Sequence, residues 1–313
     1  LYLDEMTGRV AATEKIEQLL DNEIIVLTPG TPYASELGNI KKLYPNNYID
    51  VVKAEQHVFG MAAGLALSGK KPIVNIQSTF MQRSFDQIIH DIAYMDLNVC
   101  TIVVRSGFSG FDSATHHGIF DITYLSAIPN INVIIPASFN RLELILTNFL
   151  KNNSVGPLFI LLPYDPVLYS QDEFISYETY DFGLLKSNIS SKTLIVTLSN
   201  LNDFAFSTIK NLKKDKIEVD HLILEKIKNI DSDLVQKLSK YDKIITIEQN
   251  VLRGGLGSIF SEIITDNKLN NLVLQRIGID DKFINAGSTI NCLEESGINY
   301  ETIIKFLRWI PKK

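Results

Sequence analysis

Residues 54–83 read AEQHVFGMAAGLALSGKKPIVNIQSTFMQR. Glu55-Gln56-His57 follows Tyr48 to Val52, a run of strand length, and a helix of small residues comes next. Lys70-Lys71-Pro72 breaks that helix, Pro72 to Gln77 is a new strand, and Ser78-Thr79-Phe80 ends it. Arg83 then opens a further helix over 83–94, with Phe85, Ile88, Ile89 and Ile92 at helical spacing. Two strand ends thereby reach one edge of a sheet, the edge at which open α/β sheets bind ligands. The stretch gives that edge a carboxylate (Glu55), an aromatic ring (Phe80) and a cation (Arg83).

The rest of the chain repeats the rhythm. Towards the N-terminus, residues 8–21 predict a helix and Glu23 to Leu27 a strand ending in Thr28-Pro29-Gly30-Thr31-Pro32. That pentapeptide is a loop, because proline removes donors and glycine permits tight turns. A helix from Ser35 to Leu43 follows. Towards the C-terminus, Val99 to Val104, Val133 to Ile135 and Leu158 to Leu162 are strands. A long loop rich in Gly, Ser and His, RSGFSGFDSATHHG, follows the first of these.

Alternating strands and helices predict a mostly parallel sheet with helices on both faces. The stretch Pro163 to Ser191, with prolines, tyrosines and acids in weak periodicity, breaks the rhythm, and 169–190 within it reads as a linker between a domain over 1–168 and a smaller α/β domain over 191–313. The fold class is therefore α/β with two doubly wound domains. In the second, strands are expected at Thr193 to Leu198, Glu218 to Leu224, Lys243 to Ile247 and Leu272 to Ile277. Helices are expected at Ala205 to Leu212, Ser232 to Leu238, Gly257 to Ile264 and Tyr300 to Leu307. GGLGS at 254–258 reads as a turn feeding a helix N-terminus.

Composition narrows the class. At 313 residues the chain is long enough for two cores. Its 45% hydrophobic and 21% charged residues are those of a globular protein. A net charge of −6 without a basic stripe argues against a nucleic-acid partner. The longest apolar run, Val58 to Leu67, carries Gly60 and Gly64 and is too short to span a bilayer, so no membrane is implied. Cys100 and Cys292 lie far apart and outside any CxxC, the pattern of free buried thiols in the cytoplasm, the expected location.

Six blocks occur in order: AEQH at 54–57, STFMQRSFDQ at 78–87, RSGFSGFDSATHHGIFD at 105–121, AIPNINVIIPAS at 127–138, IEQNVLRGGLGS at 247–258 and RIGIDDKFINAGS at 276–288. Together they resemble the pyrimidine-binding and C-terminal domains of the transketolase superfamily of thiamine diphosphate enzymes. Within it they are most similar to the 1-deoxy-D-xylulose-5-phosphate synthases. The resemblance implies a cofactor, thiamine diphosphate, and a reaction, transfer of a two-carbon ketol or acyl unit to an aldehyde acceptor. It implies that Glu55 activates the cofactor aminopyrimidine through N1′, that Phe80 packs on that ring, and that Gln77 and Arg83 lie beside it. It gives His116 a catalytic part as a proton relay, and Arg105, Asp112 and His116 contact with substrate. His117 stands where the family usually has glutamine.

The chain departs from that pattern in three places. No GDG motif, which with a downstream Asn holds the magnesium of the diphosphate, occurs in it. The resemblance therefore implies a separate diphosphate-binding subunit of N-terminal type, with the magnesium ligands on that partner, in a heterotetramer; a truncated chain would show the same absence. In GPLFILLPYDP, Leu161 and Tyr164 occupy positions where the synthases carry arginines. Gln77 replaces a tyrosine. Because arginine binds phosphate through paired charge-assisted bonds, these losses point to a changed acceptor. A noncatalytic regulatory or scaffold homologue and the β subunit of a 2-oxo-acid dehydrogenase are the alternatives.

Overall fold

The computed structural model describes residues 7–151, 156–165, 171–188 and 191–308. The chain forms two compact units. The first comprises residues 1–106 and 124–171, the second 107–123 and 172–313.

In the first unit, α1 (Gly8–Leu19) is started by Thr7, whose hydroxyl accepts the Val10 N–H at 3.3 Å. β1 (Ile24–Thr28), α2 (Gly38–Leu43), β2 (Tyr48–Asp50), α3 (Glu55–Leu67) and β3 (Lys71–Gln77) follow. β4 (Cys100–Ser106), β5 (Asn132–Ile134) and β6 (Leu158–Pro163) complete a six-stranded sheet of order β2-β1-β3-β4-β6-β5. Every pairing in it is parallel. All five residues of β1 and all six of β6 are buried, as in strands covered on both faces. Ile24, Val26, Ile102, Val104 and Ile160 pack with Ala12 and Ile16 of α1 and with Leu142, Leu146 and Phe149 of the helix Phe139–Lys151. That last helix was not expected from the sequence, although its buried residues recur at helical spacing.

The helix expected over 83–94 takes another form. Ser78–Met81 and Phe85–Gln87 are single α-turns around a 3₁₀ turn, Gln82–Ser84, and Ile88–Ala93 is π-helical. The apolar spacing survives only in part: Ile88 and Ile92 are buried, but Phe85 is substantially exposed. Widening the turn shifts side-chain phase away from the 3.6 period that the sequence suggested.

The second unit has its own six-stranded sheet, ordered β12-β11-β9-β10-β8-β7. Its strands are β7 (Glu178–Tyr180), β8 (Gly183–Lys186), β9 (Thr193–Thr197), β10 (Asp220–Leu224), β11 (Lys243–Val251) and β12 (Val273–Ile279). β9 to β12 pair in parallel, whereas β8 pairs antiparallel with β10 and β7. The stretch read as a linker, 169–190, thus contains two strands, the edge strand β7 and its neighbour β8; its residues 169–170 and 189–190 lie outside the described residues. Glu178 and Thr179 are exposed, so the apolar alternation that announces a strand is missing there. Among the described residues no helix is long and apolar enough to cross a membrane.

Candidate functional site

Parallel strands put their C-terminal ends at one edge, so the ends of β1, β2, β3, β4 and β6 converge in the first unit. The turn before Glu55 is tightly specified. The Asp50 carboxylate accepts the N–H groups of Gly30 at 3.0 Å and Val52 at 2.9 Å, tying the β1 and β2 loops together. Val52 is held at φ 56°, a conformation that a β-branched residue adopts only under constraint. The Ala54 N–H closes back on the Val52 carbonyl at 2.9 Å, and Glu55 becomes the first residue of α3.

Glu55 is buried, at the end of the helix where a negative charge is favoured. Arg83 Nε lies 3.5 Å from Glu55 Oε2, and the arginine itself is mostly exposed. Phe80, on the turn after β3, is half-buried, and Gln77 at the strand end is buried. The structure therefore brings the Glu55 carboxylate and the Arg83 cation together, with Phe80 three residues before Arg83 on the preceding turn.

Arg105 sits in a bulge of β4, where the register with β6 shifts between Val104 and Ser106. Its φ of 62° re-aims the side chain out of the strand alternation, and its guanidinium lies 5.2 Å from the centre of the Tyr164 ring. Arg9, from α1, approaches the same ring at 5.8 Å and donates to the Ala34 carbonyl at 3.1 Å. Among the described residues, buried Arg9 Nε has no hydrogen-bond partner. Burial lowers the Arg9 pKa, Glu36 opposes this, and the charge of Arg105 lowers it further. Two guanidiniums thus flank the tyrosine that the sequence presented as a lost cation. Nothing in the sequence around Arg9 announces this; it depends on α1 packing beside the β6 end.

Asp112 and His116 belong to the second unit. His116 ends a 3₁₀ turn, Ala114–His116, capped by the Ser113 hydroxyl at 3.2 Å from the Thr115 N–H. Its Nδ1 is 3.4 Å from Thr115 Oγ1. The segment is clamped at its base by Gln249, whose Oε1 accepts the Phe108 N–H at 3.0 Å and whose Nε2 donates to the Asn200 carbonyl at 2.9 Å. Gly107 is required there, because its φ is 84° and a Cβ would come 2.5 Å from Gln249 Oε1. Gln249 lies in the EQN block, yet sequence alone gave it no part.

A cleft of about 820 Å³ in the second unit is lined by Phe120, Arg253, Arg276, Asp280 and Phe283 among others, and includes none of the candidate site residues named from the sequence. Among the described residues no group of three or more His, Cys, Asp or Glu is placed to hold a metal ion. At the strand edge the structure holds a buried carboxylate, Glu55, paired with the exposed Arg83, and the half-buried ring of Phe80 nearby in sequence.

These features place the chain among two-unit α/β proteins built on largely parallel sheets. Comparison with known proteins makes this specific. Residues 5–166 match the transketolase pyrimidine-binding domain and residues 184–303 the transketolase C-terminal domain, and the chain belongs to that family. It is 33% identical over 287 residues to the 1-deoxy-D-xylulose-5-phosphate synthase of Lysinibacillus sphaericus, covering 91% of this chain and 45% of that protein. It is 35% identical over 294 residues to the synthase of Blochmanniella pennsylvanica, covering 93% and 46% respectively. The chain thus spans about half the length of these relatives. A solved structure of a split-gene transketolase, an inactive β4 tetramer, superposes with a TM-score of 0.78 at 24% identity, covering 96% of this chain and 97% of that one. That likeness is one of fold.

Proposed function

We propose that this chain is the pyrimidine-side subunit of a thiamine-diphosphate-dependent transferase that moves a two-carbon ketol or acyl unit to an aldehyde acceptor. The observation that carries the reading is the buried Glu55 carboxylate at the first position of α3, beside Arg83 and at the C-terminal edge of a parallel sheet. When bound, thiamine diphosphate supplies the carbon nucleophile that adds to carbonyl groups. Glu55 would hold a proton at the aminopyrimidine N1′, Phe80 would pack on that ring, and Gln77 and Arg83 would border it. His116 is assigned the proton relay, with Asp112 and Arg105 as substrate contacts. The likeness in fold, over 97% of its length, to a chain of a split-gene transketolase supports a partner that binds the diphosphate and its magnesium, in a heteromer with this chain.

Calorimetry on this chain with its diphosphate-binding partner, thiamine diphosphate and magnesium tests the proposal. Saturable, magnesium-dependent binding by the complex and none by this chain alone is expected. Tight, magnesium-dependent binding by the isolated chain would refute the two-subunit reading.

Arg9 bears on the acceptor. The cation missing at position 164 is supplied from α1, which favours an anionic acceptor over a neutral one. Arg9→Met is expected to raise KM for an anionic acceptor roughly tenfold or more, the value of a charge-assisted hydrogen bond, and to leave a neutral acceptor unaffected. Steady-state kinetics with a phosphorylated aldose and its unphosphorylated counterpart would check this. Equal KM changes for both would remove Arg9 from acceptor binding.

A further inference from the structure

His117, next to the proposed proton relay, had no assigned role, and its surroundings fix its chemical state. The ring is buried, with the Ser109 N–H 2.9 Å from Nδ1 and the Asn285 carbonyl 3.2 Å from Nε2. A backbone N–H can only donate and a carbonyl can only accept. Nδ1 must therefore carry the lone pair and Nε2 the proton. The other neutral tautomer opposes two donors at Ser109 and two acceptors at Asn285. The imidazolium keeps the Asn285 bond but leaves the Ser109 N–H facing a second donor.

This ring closes the segment that presents His116. Ser109 also donates its hydroxyl to the His116 carbonyl at 2.6 Å. Gly107 and Gly118 exchange backbone bonds at 2.9 and 2.7 Å, and the edge of the ring meets Phe108 at 5.6 Å between centroids. Residues 107–118 are thus a loop shut at its neck by backbone bonds and inside by one imidazole, with the 3₁₀ turn of His116 between. Glutamine could make both side-chain bonds, accepting with its oxygen and donating with its amide, but it does not titrate.

We propose that His117 is the positioning residue for His116, a neutral Nε2–H latch that holds the 109–117 segment closed between Ser109 and Asn285. The titratable groups on the elements around it are few. Glu295, on the helix Thr289–Glu295, binds the Asn285 N–H and side-chain amide, with Lys282 Nζ on its carbonyl. Cys292 Sγ is 3.6 Å from the Asn285 carbonyl. On β11, Glu248 is directed to the Leu256 and Gly257 N–H groups. Asp112, His116 and Asp121 share the loop's own strand of chain.

The latch is testable without catalysis, whereas its bearing on His116 rests on the function proposed above. The full chain labelled with ¹⁵N-histidine, which has five histidines, should show His117 as the Nε2–H tautomer at neutral pH. Protection of the Ser109 amide from hydrogen exchange should be equal in wild type and His117→Gln, and about tenfold lower in His117→Ala, the loss of one buried hydrogen bond. A ring carrying its proton on Nδ1, or Ser109 protection unchanged in His117→Ala, would overturn the proposal. In the assembled enzyme kcat should fall in His117→Ala and be restored in His117→Gln. A working latch with kcat unchanged in His117→Ala would overturn the positioning of His116.

Discussion

Glu55→Gln is expected to lower kcat of the assembled enzyme by about 10²–10⁴-fold, the usual worth of a positioned proton-transfer group, while the chain keeps its fold. The two effects separate because of where Glu55 sits. Glutamine keeps the volume of a buried side chain, so no cavity opens. The lost charge at the start of α3 costs roughly 0.3–1 kcal/mol. Arg83, left without its partner, is mostly exposed and can be hydrated, so breaking an ion pair of 3.5 Å adds little. A neutral amide, however, does not stabilise a proton on a heterocyclic nitrogen as a carboxylate does. Turnover of the variant should therefore collapse at nearly unchanged melting temperature. Turnover within a few-fold of wild type would remove Glu55 from the chemistry and favour a noncatalytic homologue. A large fall in melting temperature would reveal a structural part for Glu55 instead.

Local sequence reads the first sheet well and the site only in outline, for one physical reason. Strands such as Ile24–Thr28 and Leu158–Pro163 are buried on both faces, and their unbroken apolar runs announce themselves. Glu178–Tyr180 is an edge strand with two exposed residues, and its composition resembles that of a loop. The same holds within the site. The meeting of Glu55 and Arg83 was legible because one continuous stretch delivers both to one edge. Arg9 and Tyr164 are 155 positions apart in sequence and meet only through packing. His117 was visible as a residue, but its tautomer depends on Asn285, 168 positions away. A contact of that kind leaves no periodicity or spacing to read.

The melting behaviour of the second unit should carry the signature of one carboxyl group. Glu248 lies on β11 without solvent exposure, and its two oxygens accept the N–H groups of Leu256 at 2.7 Å and Gly257 at 2.9 Å. It thereby holds the start of the helix Leu256–Asp266, and Gly255 leaves it the room, since a Cβ there would come 2.0 Å from Oε2. Burial pushes the Glu248 carboxyl up from 4.5 to about 8, against the opposing pull of the two N–H bonds and Arg276. The folded chain then keeps a proton that the unfolded chain releases, throughout the interval between those two values. Stability from this group is complete below about pH 4.5 and is lost as pH rises through 8, by roughly 3–5 kcal/mol in total. Glu248→Gln removes the titration but leaves one amide N–H opposed to a backbone N–H, so the variant should be less stable at pH 5 and lack this decline. Urea unfolding midpoints measured from pH 5 to pH 8.5 compare the two directly. Parallel pH dependences in wild type and variant would mean that the two N–H bonds, rather than burial, set the state of the carboxyl, and that Glu248 is an ionised helix cap at neutral pH.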